Sequence, residues 1–308
     1  MAKDFKLDKE LYPLLLLRMP KNVFLIHLSN LLVRFLYVLK KPEAGVTQKR
    51  IQVKMRDGGM IHIDIFTPEK RHTKETLLYF PGGGFMMPGT HIHKMSLSYI
   101  AKELGMRTFM VHYRLAPKYP FPTAFYDVID SYMYIKENAS QFDILEDRIG
   151  LGGDSAGGNL AAGLSLYLKD EGIDLPPYQL LLYPALDKTL TSHSRMTYTF
   201  TPMFNSKMLK FVMKHYYKNG VYDLEKYTFP CVHPNLAQLE PTYIEILEYD
   251  PLHDDGVCFT ELLKQNQVDV LLRDIKHAVH GYDAMAKASV VRESIRERIN
   301  FIKGKLKE

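Results

Sequence analysis

The feature that most constrains the fold of this chain is a regular alternation between short apolar runs and segments with helical periodicity. The apolar runs are bounded by Gly or Pro, which is typical of strands buried on both faces of a sheet. Because strands alternate with helices, the pattern predicts an α/β fold with a mainly parallel sheet and helices on both faces. The strand runs are residues 76–80, 107–113, 148–152, 178–183 and 242–248, and the helical segments are about 93–104, 122–138, 156–169, 205–217, 256–266 and 283–303.

Two segments of the main domain interrupt this alternation. Residues 49–54 and 60–66 alternate polar and apolar side chains around Asp-Gly-Gly at 57–59, which predicts an antiparallel hairpin that opens the sheet. Residues 188–230 are rich in Met, Phe and Tyr, and we expect them to form a cap insertion over the carboxyl edge of the sheet, where ligands bind. The expected organisation is therefore N-terminal cap helices over 1–45 and a main domain over 46–308.

The N-terminal segment is the most apolar part of the chain, but prolines and basic residues interrupt residues 11–39, so no spanning helix is predicted. Residues 21–41 have helical periodicity and a wide apolar face. We expect a cap helix that packs on the main domain or over its site; a helix lying on a membrane surface, aided by its basic residues, is the alternative that we do not favour. The apolar face consists of Val23, Phe24, Ile26, Leu28, Leu31, Leu32, Phe35 and Val38.

Charge and cysteine content exclude several classes of protein. The net charge of +5 is too weak and scattered for a nucleic-acid-binding surface, although the first 50 residues alone carry +6. Two cysteines, Cys231 and Cys258, do not make a secreted disulfide scaffold, so we expect reduced thiols. Acids at positions 4, 8 and 10 and the lack of a small-residue cleavage site argue against a secretory signal, which predicts a cytoplasmic location.

The strongest chemical motif is Gly-Asp-Ser-Ala-Gly at 153–157, between the predicted strand 148–152 and the helix that begins at 156. This strand–turn–helix context is that of a nucleophile elbow, whose backbone angles are strained at the serine. A larger side chain at 153 or 157 would collide with the neighbouring strand and helix. The motif therefore predicts Ser155 as a nucleophile.

A serine nucleophile needs a base to take its proton and a carboxylate to orient that base. In hydrolases of this type the chain order is Ser, acid, His. Asp250 directly follows a predicted strand, and His280 lies in a loop after the apolar run 268–272. Both therefore belong to the same edge of the sheet as the serine. Asp254 or Asp255 is the alternative acid, and His277 is the alternative base.

A third motif, Pro-Gly-Gly-Gly-Phe at 81–85, follows the predicted strand 76–80. Acyl transfer builds negative charge on the carbonyl oxygen, and N–H donors already aimed at that oxygen accelerate the reaction. Three glycines allow the backbone to approach the substrate closely. We predict that Gly83 and Gly84 form an oxyanion hole together with Ala156.

Four blocks of this sequence resemble the hormone-sensitive-lipase-like branch of the α/β-hydrolases, from about residue 50 to the end of the chain. The resemblance implies an α/β-hydrolase fold with a cap, with Ser155 as nucleophile, Asp250 as acid and His280 as base, and so favours these over their alternatives. The blocks are Pro-Gly-Gly-Gly-Phe at 81–85; Tyr-Arg-Leu-Ala-Pro at 113–117 with Phe121, Pro122 and Asp127; Gly-Gly-Asp-Ser-Ala-Gly-Gly-Asn at 152–159; and Glu-Tyr-Asp-Pro-Leu-His-Asp-Asp-Gly at 248–256, followed by His-Gly-Tyr at 280–282.

Two positions depart from the family pattern. Pro81 stands where the family has a histidine, so any hydrogen bonds by which that histidine braces the glycine loop are absent here. Proline can stiffen the loop instead by restricting its own φ. Lys118 stands where the family usually has a glutamate, which reverses a charge near the rim of the site.

The sequence thus predicts a serine carboxylesterase that acts on small, fairly apolar esters and needs no metal or organic cofactor. The pairs His91 with His93 and His277 with His280 lack the third ligand of a zinc site. A non-catalytic binding protein on the same fold, and an amidase or deacetylase with the same three residues, are the alternatives. The expected pocket residues are Phe85, Met86, Met87, Phe200, Met203, Phe204 and Phe211.

Overall fold

The computed structural model describes residues 5–306, so the first four residues of the predicted segment 1–45 and the last two of 46–308 lie outside it. An eight-stranded sheet forms the centre of this part of the chain. Its strands are β1 (Val46–Lys54), β2 (Met60–Pro68), β3 (Thr76–Phe80), β4 (Arg107–His112), β5 (Ile149–Asp154), β6 (Gln179–Leu182), β7 (Thr242–Tyr249) and β8 (Val270–Val279).

The strand order is β1-β2-β4-β3-β5-β6-β7-β8. β1 and β2 form the expected antiparallel hairpin, and β2 also pairs antiparallel with β4, whereas every later pair is parallel. The hairpin turn suits its sequence, because Gly58 has a φ of +82° and the Asp57 carboxylate accepts the N–H of Gly59 at 2.9 Å. The fold-class prediction is therefore confirmed.

Helices connect these strands and cover the sheet, which explains why β3, β5 and β6 are buried along their whole lengths. The predicted helix at 283–303 begins later, at Ser289, because a 3₁₀ turn over Tyr282–Ala284 follows Gly281 in a left-handed conformation. The helices are α1 (Val23–Leu39), α2 (His91–Leu104), α3 (Thr123–Glu137), α4 (Ala156–Asp170), α5 (His193–Thr197), α6 (Ser206–Tyr216), α7 (Glu225–Thr228), α8 (His253–Gln265) and α9 (Ser289–Lys303).

The N-terminal segment contains a 3₁₀ helix over Lys9–Leu16 and then α1. Asn22 caps α1 by accepting the N–H groups of Phe24 and Leu25. Only Ile26 and Tyr37 of α1 are buried. The helix does contact the main domain, through Ile26, Tyr37 and the bond from Asn30 to Met86, but the other members of its predicted apolar face are exposed.

A buried group of charges joins α9 to β7. Arg298 is 2% exposed, and its guanidinium donates to both carboxylate oxygens of the fully buried Glu245 at 2.8 and 2.6 Å. It also donates to Asp283, at 3.2 Å, and to the hydroxyl of Tyr282, at 3.1 Å. These bonds connect the sheet to the loop that follows β8.

We expect Arg298→Met to lower the free energy of unfolding by about 3–5 kcal/mol, because it leaves the carboxylate of Glu245 buried without its cation. Urea denaturation measures this difference. The matched control is Arg296→Met on the exposed side of α9, which should change stability by less than about 0.5 kcal/mol. Equal stability of the two variants would show that the ion pair of Arg298 with Glu245 does not stabilise the fold.

Candidate active site

Three side chains that are far apart in sequence form one hydrogen-bonded chain. Nε2 of His280 lies 2.8 Å from Oγ of Ser155, and Nδ1 of His280 lies 2.7 Å from Oδ2 of Asp250. The exposed fractions are only 6% for Ser155, 7% for His280 and 0% for Asp250. A hydroxyl, an imidazole and a carboxylate in this geometry can pass the hydroxyl proton to the imidazole while the carboxylate orients the ring.

Ser155 occupies a sharp turn between β5 and α4, with φ of 53° and ψ of −117°. The two flanking glycines are required by space. A Cβ at Gly157 would lie 1.8 Å from the carbonyl oxygen of Phe80, and one at Gly153 would lie 2.3 Å from the backbone of Gly157. The turn therefore holds the serine at the carboxyl end of a central strand, as a nucleophile elbow does.

The ends of two strands position Asp250 and His280, the other two residues of the hydrogen-bonded chain. Asp250 follows the last residue of β7, and His280 follows the last residue of β8. The second carboxylate oxygen of Asp250 accepts the N–H of Leu252 at 2.8 Å, which fixes the carboxylate plane. The rings of Tyr183 and Phe204 lie 5.0 and 4.7 Å from the His280 ring, so the imidazole is held on two sides.

The alternative residues are engaged elsewhere. Asp254 accepts the N–H of Ser194 at 2.8 Å, and Asp255 forms a buried ion pair with Arg195 at 2.6 Å. The side chain of His277 is 55% exposed and lies 3.6 Å from Glu248. Of the candidates from the sequence, the structure brings only Asp250 and His280 to the serine.

The glycine loop lies directly after β3, beside the serine turn. Gly83 and Gly84 have φ values of +134° and +59°, and a Cβ at Gly83 would lie 2.6 Å from the carbonyl oxygen of Met87. The carbonyl of Gly83 accepts the N–H groups of Met86 and Met87. Within residues 5–306, the N–H groups of Gly83, Gly84 and Ala156 have no protein acceptor.

A buried carboxylate that sequence reasoning missed braces this loop. Asp154 accepts the N–H of Gly82 at 2.8 Å, the hydroxyl of Tyr79 at 2.9 Å and Nε2–H of His93 at 3.1 Å. Although burial opposes its charge, the neighbouring His93 and these donors hold the pKa of Asp154 below its usual value. Its place inside the Gly-Asp-Ser-Ala-Gly motif was the only signal in the sequence.

Similar contacts brace the glycine loop although residue 81 is a proline and not a histidine. The hydroxyl of Tyr113 donates to the carbonyl oxygen of Pro81 at 2.6 Å, and Asp154 holds the next residue. His93 in turn accepts the N–H of Thr90 at Nδ1, within the capping box of α2. The loop is therefore tied to β4, β5 and α2 without a histidine at position 81.

The predicted pocket residues occupy different places. Phe204 packs against His280, and the side chain of Met203 lies beside Gly281. Phe85 stacks on Tyr216 at 3.8 Å in the core. Of the others, Met86 is fully buried, Met87 contacts the glycine loop, Phe200 is 65% exposed, and Phe211 packs on His215. Their role in lining a pocket stays a prediction.

Two further observations apply to the described residues. Residues 5–306 contain no group of three His, Cys, Asp or Glu side chains that could hold a metal ion. No helix in the same range is both long enough and apolar enough to cross a bilayer. The prediction that the protein needs no metal or organic cofactor remains a prediction.

A family model described as the α/β hydrolase fold matches residues 77–284 of this chain. The chain therefore belongs to the α/β-hydrolase family. Esterase LipI of Mycobacterium tuberculosis is 34% identical over 211 residues, which span 67% of this chain and 65% of that protein. Ethyl acetate hydrolase of Pseudomonas putida is 29% identical over 243 residues, which span 78% of this chain and 76% of that protein.

Among solved structures, a bacterial heroin esterase superposes with a TM-score of 0.89 at 29% identity, covering 99% of this chain and 100% of that one. The similarity thus extends over the N-terminal segment and the 188–230 insertion as well as the sheet. These comparisons confirm the predicted resemblance to the hormone-sensitive-lipase-like branch, and these relatives are named as esterases or ester hydrolases.

Proposed function

We propose that this protein is a serine carboxylesterase that hydrolyses small, fairly apolar carboxylic esters. The observation that carries the proposal is the hydrogen-bonded chain from Ser155 through His280 to Asp250, beside three N–H groups that find no acceptor in the described part of the protein. The esterase names of the relatives support the reaction class, and the ethyl acetate hydrolase supports a small substrate.

In the first half of the proposed reaction, Oγ of Ser155 attacks the ester carbonyl carbon while Nε2 of His280 takes the hydroxyl proton. Asp250 accepts Nδ1–H and stabilises the imidazolium that forms. The tetrahedral oxyanion is bound by the N–H groups of Gly83, Gly84 and Ala156. Collapse of this intermediate breaks the ester C–O bond, and His280 returns the proton to the leaving alcohol.

In the second half, water attacks the acyl–Ser155 ester while His280 again takes the proton. The same N–H groups bind the second oxyanion, and its collapse releases the carboxylic acid and restores the serine hydroxyl. The helix dipole of α4, which begins at Ala156, adds partial positive charge beside the oxyanion. The chain's own residues thus supply nucleophile, base and charge stabilisation.

The segments 1–45 and 188–230 form the cap of the proposed enzyme. Backbone pairing supports their association, because the N–H of Met203 donates to the carbonyl of Leu17 at 3.0 Å. Phe204, in the second segment, packs on the His280 ring. We place the acyl or alcohol group of the substrate against this side of the site. The cytoplasmic location predicted from the sequence belongs to the same proposal.

Hydrolysis of p-nitrophenyl esters from acetate to dodecanoate, with p-nitroacetanilide as the matched amide, tests the function. We expect kcat/KM of about 10⁴ M⁻¹s⁻¹ or more for the short esters and much lower values for the long esters and the anilide. Faster cleavage of the anilide would make the protein an amidase. A protein inactive on the whole series would be a binding protein on this fold.

Asp154→Asn tests the bracing of the glycine loop. Loss of the charge that holds Gly82 and His93 should lower kcat for the acetate ester by about 10–100-fold with little change in KM, because the loop N–H groups act mainly on the transition state. Asp130→Asn, in an ion pair with Arg56 away from the loop, is the control. An unchanged kcat would show that Tyr113 alone suffices to hold the loop.

A further inference from the structure

Helix α1 carries its apolar side chains on the outside. These exposed side chains include every leucine and phenylalanine of the helix. Large exposed apolar patches on monomeric proteins mark interaction sites. We define the apolar face of α1 as the following side chains, which are 39–74% exposed: Phe24, Leu25, Leu28, Leu31, Leu32, Phe35, Leu36, Val38 and Leu39.

Two polar side chains of the same helix, those of Asn30 and Tyr37, bond to the main domain. Nδ2 of Asn30 donates to the carbonyl oxygen of Met86 at 2.8 Å, and the Tyr37 hydroxyl donates to the buried carboxylate of Asp64. His27 and Arg34 line a groove of about 660 Å³ between α1 and the main domain. The amphipathic pattern is therefore the reverse of that of a helix packed on a core and surrounded by water.

The apolar face continues around the start of α1. Leu16 is 87% exposed, and the chain just after it pairs with Met203. Nζ of Lys207 lies 3.6 Å from the ring centre of Phe200, which is 65% exposed. Partial burial lowers the pKa of Lys21, and the charge of Lys207 lowers it further. The two cations are therefore neighbours near the start of α1.

Positive charges predominate in the segments that carry this surface. Residues 11–42 and 188–222 carry eleven of the chain's 40 basic residues and none of its 35 acids, so the rest of the chain has a net charge of −6. No ion pair within residues 5–306 includes the basic side chains at the ends of α1 or on the outer side of α6. These are Lys21, Lys40, Lys41, Lys207, Lys210 and Lys214.

We propose that the apolar face of α1 rests on an anionic lipid bilayer, with the helix axis in the plane of the membrane. A bilayer offers both an apolar layer and anionic headgroups, which match leucines and phenylalanines bordered by lysines. At 1.5 Å per residue the helix is about 26 Å long, and it lies on the membrane without crossing it.

A second copy of the chain is the competing occupant. In a two-fold dimer through the same face, Lys21 and Lys40 of one protomer would approach the same residues of its partner, with no acid in residues 11–42 or 188–222 to neutralise them. Charge therefore favours lipid. The proposal concerns where the protein lies and does not depend on its reaction.

Cosedimentation of the full chain with vesicles tests the proposal. We expect binding to phosphatidylcholine vesicles with about 30 mol% phosphatidylglycerol, and weaker binding without the anionic lipid or at high salt. Phe24→Gln with Phe35→Gln should weaken binding about tenfold or more. Leu145→Gln with Leu271→Gln, which removes two apolar side chains that are 43% and 45% exposed elsewhere on the protein, should leave it unchanged.

The lysines provide an independent arm. Lys21→Gln and Lys207→Gln should each weaken binding to the anionic vesicles about fivefold, with no effect on phosphatidylcholine alone. Circular dichroism and thermal melting of each variant confirm that it is folded. Equal binding by all variants, or no binding by the wild type, would overturn the proposal. A wild-type dimer that the Phe24 and Phe35 changes dissociate without lipid would assign the face to a second copy.

Discussion

Replacing Ser155 with alanine is expected to reduce kcat for a short ester by about 10⁴- to 10⁶-fold while leaving the fold intact. The hydroxyl oxygen lies 2.8 Å from Nε2 of His280, and alanine leaves that imidazole without a serine proton to accept. The residual rate would come from the N–H groups of the glycine loop acting on attack by water. Steady-state hydrolysis of p-nitrophenyl acetate measures the loss.

Labelling gives the Ser155 experiment a readout apart from turnover. A serine-directed sulfonyl fluoride should modify the wild type at one equivalent and fail to modify the variant. Ser140→Ala, which removes an exposed serine hydroxyl after α3, should behave as the wild type in both assays. Retained turnover in the Ser155 variant would remove the proposed nucleophile and with it the acyl-enzyme.

Asp250→Asn is expected to lower kcat by about 10⁴-fold without a comparable loss of stability. The carboxylate accepts from Nδ1 of His280 at 2.7 Å, which keeps the lone pair of Nε2 directed at the serine. An asparagine has nearly the same shape, but its amide can donate to Nδ1. The ring proton would then move to Nε2, and the imidazole could no longer act as a base.

Asp254→Asn is the matched control for this experiment, since it alters a neighbouring carboxylate that accepts from Ser194 and lies outside the hydrogen-bonded chain. We expect its kcat to stay within about tenfold of the wild type. Thermal melting of both variants separates catalytic from structural effects. A larger loss from the Asp254 variant would reassign the orienting carboxylate.

Much of the fold was predictable because its signals are local. Buried parallel strands are nearly continuous apolar runs, so β3 was predicted with its exact bounds, and the Asp-Gly-Gly turn identified the hairpin. Helix starts were less accurate. A 3₁₀ turn follows Gly281, so α9 begins later than predicted. In this turn Asp283 pairs with the buried Arg298, a contact between residues too far apart in sequence for a local pattern to reveal.

The candidate site was predictable in part. The order of Ser155, Asp250 and His280 and their places after strands could be read directly, and the structure brings the three together. The bracing of the glycine loop was not predictable, because the bond from His93 to Asp154 joins residues 61 positions apart. The contact of Phe85 was not predictable either, since its ring stacks on Tyr216, 131 positions later in the chain, and its role in lining a pocket stays a prediction.

The sequence by itself determined the class of fold, the family and the strand ends at which the serine, the carboxylate and the histidine lie, because periodicity and turn residues act over a few positions. The tertiary structure places His280, which the family resemblance favoured over His277, against the serine. Only the tertiary structure decided which donors brace the loop after Pro81. It also decided that the apolar face of α1 points outward. Periodicity reveals that a helix has an apolar face, but what lies against that face depends on the packing of distant segments.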